Sequence, residues 1–570
     1  MTSFRPSTLV DIIRHRAHES GGGKAYLFPT DASSGELTYR ELERRARALA
    51  VGLRQMAEPG DRVLVMCSPG AHFVVAFAAS LYAGLIAVPV YPPTNSRSLS
   101  RLLGIVDDAS PSVLLADAPV LALVSAQAGE GPLRGLRQVA VEDFAFAADE
   151  ELTGPLPVPG DIAFLQYTSG STGDPKGVVV THGNLMHNSS VIASRMGVTE
   201  ESVCVSWLPP YHDMGLVGGI LQPLYRGFPA VLMTPLDFLQ RPLHWLELIS
   251  QYGATVSGGP DFAFELCVRR FQEGTTAPLD LSTWSIAFSG SEPIRKRTFD
   301  QFAACFASSG FRPEAWYPCY GMAETTLFIS GGPAGAPTVT ARTSVRSLEE
   351  RSFEPDEAGD TWLVGCGGPA PELDVRIVDT STFEPLPDGR IGEIVVAGES
   401  VAAGYWNDKG QEAFQTRLPG VTGDFLRTGD LGFLWQGQLF VTGRVKDVLI
   451  IRGRNHYPQD IEDCVTRAHP TVRPRGVAAF TVEVDGSEQL VVVAELSPSH
   501  DPARIEEVRS AIRQAVAEEH GLSLHAVTLV RSRSVPKTSN GKLQRGLCRR
   551  LFLEEKLPVL PVAQAGEDVA

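Results

Sequence analysis

The stretch YTSGSTGDPKGVVVTHGNL, residues 167–185, follows an apolar run and sets the expected fold. Its glycines permit close backbone approach, and its hydroxyls and exposed N–H groups can surround an anion. Lys176 adds a positive charge. The spacing differs from the GxxxxGK-Ser/Thr pattern of a Walker A loop, and a plain strand-to-helix turn is the alternative interpretation. The concentration of phosphate-binding groups at a strand end favours a phosphate site in an α/β protein.

The chain on either side of this loop alternates between short apolar runs and amphipathic helical stretches. One helix is predicted to begin at Thr38, with Glu41 completing a capping box. Such alternation predicts helices layered on largely parallel sheets, with ligands at the carboxyl ends of the strands. Buried strands are predicted at RVLVMC (62–67), SVLLA (112–116), DIAFLQYT (161–168), AVLM (230–233) and SIAFSG (285–290).

The character of the sequence changes at about Val364. Closely spaced strands with glycine turns predict a β-rich subdomain over about 364–445, at the end of an N-terminal domain spanning 1–445. Mixed helices and a hairpin then predict an α+β C-terminal domain over 448–570, large enough for its own core. The predicted fold class is therefore α/β: a large N-terminal domain of layered α/β subdomains with a small β-rich subdomain, followed by a small α+β domain.

Composition argues against several classes of protein. The formal net charge of −16 opposes nucleic-acid binding, which needs a basic face. Eight scattered cysteines without a CxxC pair predict free thiols in a reducing compartment. The apolar run at 71–90 contains Gly84 and Pro89, which divide it into a helix and a strand. Since the first residues contain no apolar signal segment, we expect a cytoplasmic protein that is not integral to a membrane.

Several further segments combine with the loop at 167 into one pattern. Together they resemble the adenylate-forming superfamily, in the family order and over nearly the whole chain. LPPYHDMGL (208–216), YGMAETTLF and RGRNHYPQDIE make the chain most similar to fatty acyl-AMP ligases, as does the long segment after Glu324. The segments are SGSEPIRKR (289–297), YPCYGMAETTLF (317–328), RTGDLGF (427–433), GRVKDVLIIRGRNHYPQDIE (443–462) and PKTSNGKLQR (536–545).

The resemblance implies a reaction in two halves. A fatty-acid carboxylate attacks the α-phosphate of ATP in the presence of Mg²⁺, giving acyl-AMP and pyrophosphate, and a thiol then displaces AMP. In fatty acyl-AMP ligases the thiol belongs to the phosphopantetheine of a holo acyl carrier protein. Acyl-CoA formation is the alternative. A non-catalytic nucleotide-binding or acyl-adenylate-binding protein would be expected to lack Lys542, Glu324 or Asp430, and all three are present.

The resemblance also implies roles for nucleotide-binding residues. Tyr320 is the expected adenine-stacking ring, with core packing as the alternative. Asp430 is expected to accept both ribose hydroxyls, because a carboxylate has several acceptor sites. Arg444 is expected near the ribose and phosphate, with a surface salt bridge as the alternative. The implied nucleotide-binding set is Thr168, Ser169, Gly170, Ser171, Thr172, Gly173, Lys176, Gly290, Ser291, Glu292, Tyr320, Gly321, Met322, Ala323, Thr325, Asp430 and Arg444.

The same resemblance implies the metal ligand and the catalytic residues. Glu324 is the expected Mg²⁺ ligand, since Mg²⁺ prefers carboxylate and phosphate oxygens. Many relatives have Thr directly before this Glu; here Ala323 precedes it, so Thr325 is the substitute phosphate contact. Lys542 is expected to bridge the carboxylate and the α-phosphate, and His212 to lie near the acyl carboxylate. A solvated lysine and a structural histidine are the alternatives.

Three expectations concern motion and the acyl group. Lys446 and Asp447 match the family hinge, about which a mobile C-terminal domain would swing between two poses. The segment Gly331–Thr361 is the candidate insertion that opposes CoA use, with a surface loop of no consequence as the alternative. The acyl tunnel is expected near Met214, Gly215, Leu216 and Ile220.

Overall fold

The loop quoted first joins two strands of a mostly parallel sheet. The computed structural model describes residues 6–29, 35–93, 96–127, 131–144, 152–169, 175–271, 278–451, 454–484, 487–538 and 541–561. The strands of the N-terminal α/β part are β1 (Lys24–Leu27), β2 (Glu36–Thr38), β3 (Arg62–Val65), β4 (Ile86–Pro89), β5 (Val113–Ala116), β6 (Arg137–Ala140), β7 (Ile162–Ser169), β8 (Pro175–Thr181), β9 (Cys204–Ser206), β10 (Ala230–Leu232), β11 (Val256–Gly259), β12 (Ile286–Ser289), β13 (Trp316–Gly321) and β14 (Phe328–Gly331). The five buried strands predicted from sequence correspond to β3, β5, β7, β10 and β12.

These strands form two sheets, in the orders β6-β5-β3-β4-β7-β8 and β14-β13-β12-β11-β9-β10-β1-β2. Pairing is parallel except at β7–β8, β13–β14 and β1–β2. The helices of this part are α1 (Leu9–Glu19), α2 (Tyr39–Arg54), α3 (Ala71–Tyr82), α4 (Ser96–Ala109), α5 (Ala118–Gln127), α6 (Pro132–Gly135), α7 (His182–Met196), α8 (Gln222–Arg226), α9 (Pro235–Gln240), α10 (Pro242–Tyr252), α11 (Asp261–Arg270) and α12 (Lys296–Phe306).

Two local predictions can be compared directly with these elements. The apolar run at 71–90 forms α3 followed by β4, as expected, because Gly84 turns the chain with a positive φ of 73°. Among the described residues, no helix is both long and apolar enough to cross a bilayer. Thr38 caps α2 by accepting the Glu41 N–H at 3.2 Å. A full capping box would also have the Glu41 carboxylate accept the Thr38 N–H. Instead, this carboxylate accepts from Arg44 Nη2 at 2.8 Å.

The predicted β-rich region is an antiparallel sheet. Its strands are β17 (Asp374–Val378), β18 (Gly392–Ala397), β19 (Leu426–Trp435) and β20 (Gln438–Arg444), which pair in that order. The candidate insertion before it folds as a hairpin, β15 (Thr340–Thr343) with β16 (Thr361–Val364), which encloses α13 (Val345–Glu349). It is therefore a structured element. Its Leu348 and Phe353 are buried against Phe433 and Phe440 of the sheet.

The C-terminal part has its own sheet and hydrophobic clusters. A small pair, β21 (Leu449–Ile451) and β22 (Arg454–His456), leads into α14 (Pro458–Ala468). The predicted hairpin is β23 (Val472–Val484) with β24 (Ser487–Leu496), and β25 (Leu524–Val530) adds in parallel after α15 (Ile505–His520). Lys542 stands three residues before α16 (Arg545–Leu553), so it lies in a turn that precedes the helix. All eight cysteines are free thiols, as predicted.

Candidate active site

A single cleft of about 2740 Å³ between the N-terminal and C-terminal parts collects most of the predicted site residues. It lies at the carboxyl ends of β7, β12 and β13, where ligands were expected in an α/β sheet. The predicted residues that line it are Thr168, Lys176, His212, Met214, Gly290, Ser291, Glu292, Tyr320, Gly321, Met322, Ala323, Glu324, Asp430, Arg444, Lys446, Asp447 and Lys542. Residues distant in sequence thus meet at one concave surface.

Asp430 is the centre of one polar group in the cleft. Its Oδ2 accepts the Tyr320 hydroxyl at 2.7 Å, and its Oδ1 lies 2.9 Å from the Arg444 Nε. Strand pairing explains the second contact, because Asp430 on β19 is the register partner of Arg444 on β20. Burial, together with Asp430, raises the pKa of Tyr320, while Asp430 raises the pKa of Arg444. The hydroxyl and the guanidinium are therefore both held on one carboxylate.

The turn after β12 lies beside Tyr320. Ser291 adopts a positive φ of 72°, and a Cβ on Gly290 would approach the Cys319 carbonyl oxygen to 3.0 Å. This tight packing brings backbone groups of the turn close to β13. The Glu292 carboxylate accepts the Phe262 N–H at 2.8 Å and contacts Arg475 of the C-terminal part.

Glu324, Tyr405 and Lys176 form a second polar group. The Tyr405 hydroxyl donates to Glu324 Oε1 at 2.7 Å, and the Lys176 Nζ lies 4.7 Å from the centre of the Tyr405 ring. Glu324 is only 8% exposed. Burial raises the pKa of Glu324, and the hydrogen bond from Tyr405 acts in the opposite direction. A buried carboxylate of this kind fits a bound Mg²⁺, which would offset the cost of burying the negative charge.

Replacing Tyr405 with Phe tests this second group. The variant keeps the ring beside Lys176 but removes a hydrogen bond that lowers the pKa of Glu324, so this pKa should rise further. Since a Mg²⁺ ligand must be ionised, we expect the acidic limb of the pH–rate profile to move to higher pH. The plateau should fall by no more than about tenfold. A profile of adenylation kcat/KM against pH checks this, and an unmoved limb would contradict it.

His212, Asp213 and Lys542 form a third group. His212 Nδ1 lies 2.5 Å from Asp213 Oδ1, which also accepts the Met214 N–H at 2.7 Å. Burial acts to raise the pKa of Asp213, but His212, these hydrogen bonds and Lys542 bring it below its usual value. Burial lowers the pKa of Lys542, whereas Asp213 favours its charged form. The lysine of the C-terminal part and the Asp213 carboxylate of the N-terminal part therefore line the same cleft and favour each other's charged forms.

Some predicted residues lie elsewhere. Gly170, Ser171, Thr172 and Gly173 fall outside the described residues, and of Ser169 only the backbone is described, at the end of β7.

Thr325 is fully buried and donates to the Met322 carbonyl at 3.0 Å, outside the lining of the cleft. Among the expected acyl residues, Met214 lines the cleft, Leu216 lies in the core, and Gly215 and Ile220 line a separate small cavity. All four belong to a π-helical segment, Met214–Leu221, whose sides face different surroundings.

Three functional candidates were missed from sequence. Tyr405 contacts Glu324 across 81 residues, and no motif marks it. Arg475 lies on β23, which also contains Arg473, and nothing in the sequence distinguishes the two arginines. Asp213 could have been found, because it stands beside His212 within the quoted LPPYHDMGL and is 9% exposed.

Two family models match the chain. The AMP-binding enzyme family matches residues 13–406. The AMP domain of Disco-interacting protein 2-like proteins matches residues 446–561. Together the two matches include the second and third polar groups of the cleft and, from the first, Tyr320.

Individual relatives match over nearly their full length. The medium-chain-fatty-acid–acyl-carrier-protein ligase JamA of Moorena producens is 41% identical over 567 residues, covering 97% of this chain and 96% of the relative. A fatty acyl-adenylate ligase from L. pneumophila, solved in complex with acyl adenylate and pyrophosphate, is 39% identical, with a TM-score of 0.74 and 97% of both chains covered. A structure from studies of fatty acyl-adenylate ligases of E. coli and L. pneumophila is 34% identical, with a TM-score of 0.87 and coverage of 96% and 98%.

Proposed function

The chain belongs to the AMP-binding enzyme family of adenylate-forming enzymes, and we propose on that premise that it is a fatty acyl-AMP ligase. It would convert a fatty acid and ATP to acyl-AMP and pyrophosphate, then deliver the acyl group to the phosphopantetheine thiol of a holo acyl carrier protein. The observation that carries the proposal is the cleft that Lys542 lines together with Asp213, Glu324 and Asp430. The free thiols and ATP dependence support a cytoplasmic location.

The first half-reaction follows from the positions of the charges. A carboxylate oxygen of the fatty acid attacks the α-phosphorus, and the bond from that phosphorus to the bridging oxygen of pyrophosphate breaks. Lys542 neutralises charge between carboxylate and α-phosphate, and Lys176 does so at the departing pyrophosphate. Such reactions depend mostly on positioning and on charge stabilisation.

Substrate ATP would be held by the groups on either side of Lys542. Tyr320 would offer its ring to adenine beside the turn at Gly290. Asp430 would accept the ribose hydroxyls, since a carboxylate has more acceptor sites than Tyr320 and Arg444 use. Glu324 is the residue that would hold Mg²⁺, whose charge would stabilise the phosphates during displacement. His212 would lie beside the acyl carboxylate, with its ring oriented by the contact with Asp213.

The second half-reaction needs a path for the thiol. The thiol sulfur attacks the acyl carbon, its proton is lost, and the bond to the AMP oxygen breaks. We place the pivot at Lys446 and Asp447, between domains spanning 1–445 and 448–570. The separate hydrophobic clusters of the C-terminal part support this division. The Asp447 carboxylate accepts from Arg545 Nη1 at 2.7 Å, which ties the hinge to the segment that carries Lys542.

The insertion supports a carrier protein as acceptor over CoA. Its Glu349 carboxylate lies 3.5 Å from Arg454 Nη1, and its main-chain carbonyl accepts from Asn455 Nδ2 at 3.0 Å. Its Leu348 belongs to a cluster with Tyr457 and the hinge-adjacent Val448. These contacts join the insertion to the C-terminal domain immediately after the hinge, and we propose that they oppose the pose that CoA would need more than the pose that a carrier protein would need.

Replacing Glu349 with Ala should loosen this restraint. We expect the ratio of acyl-CoA to acyl-carrier product to rise about fivefold. Glu350→Ala is the matched control, because Glu350 pairs with Arg346 inside the insertion and is exposed. Both products are quantified by mass spectrometry from one reaction. An equal ratio in the two variants would contradict the restraint.

Fatty-acid-dependent ATP–pyrophosphate exchange tests the first half-reaction directly. We expect exchange only when fatty acid and Mg²⁺ are both present, and a panel of medium-chain and long-chain acids would define the acyl length. Exchange without fatty acid, or none with any acid in the panel, would reject the proposal.

A further inference from the structure

In the segment after β12, only residues 290–292 were expected to bind the nucleotide, and the side chains of Glu292 and Arg295 reach across to the C-terminal domain. Glu292 pairs with Arg475, and Arg295 Nη2 lies 2.7 Å from Asp463 Oδ1. The two pairs have opposite polarity, with an acid and a base on each domain. Because the wrong register would bring like charges together, this arrangement specifies one docked position.

Glu292 is held rigidly by its own domain. Its Oε1 accepts the Phe262 N–H at 2.8 Å, at the start of α11. The Glu292 side chain is 11% exposed and the Arg475 side chain 23% exposed. The pair is therefore largely removed from water, unlike the exposed ion pairs that contribute little.

Arg475 is presented by an irregular part of β23. The pairing with β24 shifts register between Val472 and Val477, and Arg475 adopts a positive φ of 61°. This backbone is unfavourable for a bulky residue. Its guanidinium lies over the Phe262 ring, 5.1 Å from the centre, beside the Glu292 carboxylate. The strain is thus offset by contacts that all lie on the other domain.

Arg295 has a similarly shared environment. Burial opposes its charge, but Asp463 of the C-terminal domain and Asp261 and Glu292 of its own domain raise its pKa overall. Asp463 lies on α14, which follows the proposed hinge after β21 and β22. Moving the C-terminal domain away would break both ion pairs together.

We propose that Arg475 and Asp463 are positioning residues, which dock on Glu292 and Arg295 to hold the C-terminal domain in its adenylation pose. The four residues form an interdomain clasp. This inference rests on the proposed function and deepens it. Glu292 stands next to the turn proposed to face adenine and also favours the charged form of Lys542. The clasp thereby fixes Lys542 relative to the nucleotide without touching the reacting atoms.

The test uses Arg475→Gln and Glu292→Gln in the full chain. Gln at 292 keeps the oxygen that accepts from Phe262 while removing the charge. We expect each variant to lower kcat for ATP–pyrophosphate exchange about tenfold. This loss lies between that expected for breaking an exposed ion pair and that expected for breaking a buried one. The KM for ATP should change little in Arg475→Gln. In Arg475→Gln, transfer from chemically prepared acyl adenylate to holo carrier protein should not fall, because it does not use the adenylation pose.

The double variant decides whether the two residues act as a pair. If they do, Glu292→Gln/Arg475→Gln loses no more exchange activity than the worse single variant, since no unpaired buried charge is left. Multiplied losses would overturn the clasp, as would a parallel fall of both half-reactions. Arg473→Gln is the matched control, because Arg473 pairs with Glu495 inside the C-terminal domain at 2.8 Å. It should leave the ratio of the two half-reactions unchanged.

Exchange by the wild-type chain distinguishes a failure of the proposed function from a failure of the interdomain clasp. Absence of fatty-acid-dependent exchange in the wild type would reject the proposed function itself. Normal wild-type exchange with independent effects of the two substitutions would reject only the clasp.

Discussion

Replacing Lys542 with Ala is expected to lower fatty-acid-dependent ATP–pyrophosphate exchange by about 10²- to 10³-fold, the range seen when one preorganised charge-stabilising donor is lost. Lys542 lines the cleft, and Asp213, Asp430 and Glu292 all favour its charged form against the effect of burial. An ammonium held there is suited to the charge that develops between carboxylate and α-phosphate. Lys542 belongs to the C-terminal part, which has its own hydrophobic clusters and is the unit proposed to move about Lys446 and Asp447.

The same variant should still transfer the acyl group from supplied acyl adenylate to a holo carrier protein. In the second pose Lys542 is withdrawn, so its loss should not slow that step. Lys556→Ala is the matched control, because Lys556 is exposed and pairs with Glu554 beyond α16. Equal loss of both half-reactions in Lys542→Ala would contradict the two-pose account.

Replacing Glu324 with Gln is expected to lower exchange by about 10²-fold, because metal stabilisation of the phosphates is worth several kcal/mol. The amide keeps an oxygen to accept from Tyr405, so the packing should hold, but it is a poor ligand for Mg²⁺. A titration with Mg²⁺ should show half-saturation at higher concentration than in the wild type.

A second carboxylate in the cleft supplies the comparison. Glu412 is exposed, lines the same cleft and acts electrostatically on Tyr405. Glu412→Gln should leave both rate and Mg²⁺ dependence nearly unchanged. Similar losses in the two variants would mean that overall negative charge, rather than ligation by Glu324, sets the rate.

The sequence predicted the parts of the fold and site that depend on local pattern. Strand positions followed from apolar runs, and the cleft lies at the carboxyl ends of strands, as the α/β pattern predicted. Asp430 and Arg444 were assigned to the nucleotide site by the resemblance to a family, and the structure adds that they are register partners on neighbouring strands. The resemblance to a family supplied the distant Lys542, which spacing alone could not connect to the loop.

Side-chain contacts between elements that are far apart in the chain could not be predicted from the sequence. The Tyr405 hydroxyl reaches Glu324 only through the tertiary fold, and the Arg475–Glu292 contact spans 183 residues. From sequence, a surface loop of no consequence remained an alternative interpretation of the segment 331–361, because this segment is rich in glycine and proline. The structure shows that Leu348 and Phe353 of this segment are buried in a hydrophobic cluster. A π-helix has more residues per turn than an α-helix, so its side chains face different directions at a given spacing. The sequence of Met214–Leu221 therefore could not show which of these residues faces the cleft.

The most direct test of the account is a competition in one reaction. The full-length chain is incubated with ATP, Mg²⁺ and a fatty acid that supports exchange, together with equal concentrations of holo carrier protein and CoA. Intact-mass measurement should show the carrier gaining one acyl group, with acyl-CoA as the minor product and with no gain when ATP is omitted. Predominant acyl-CoA, or a carrier whose mass does not change while acyl-AMP accumulates, would contradict the account.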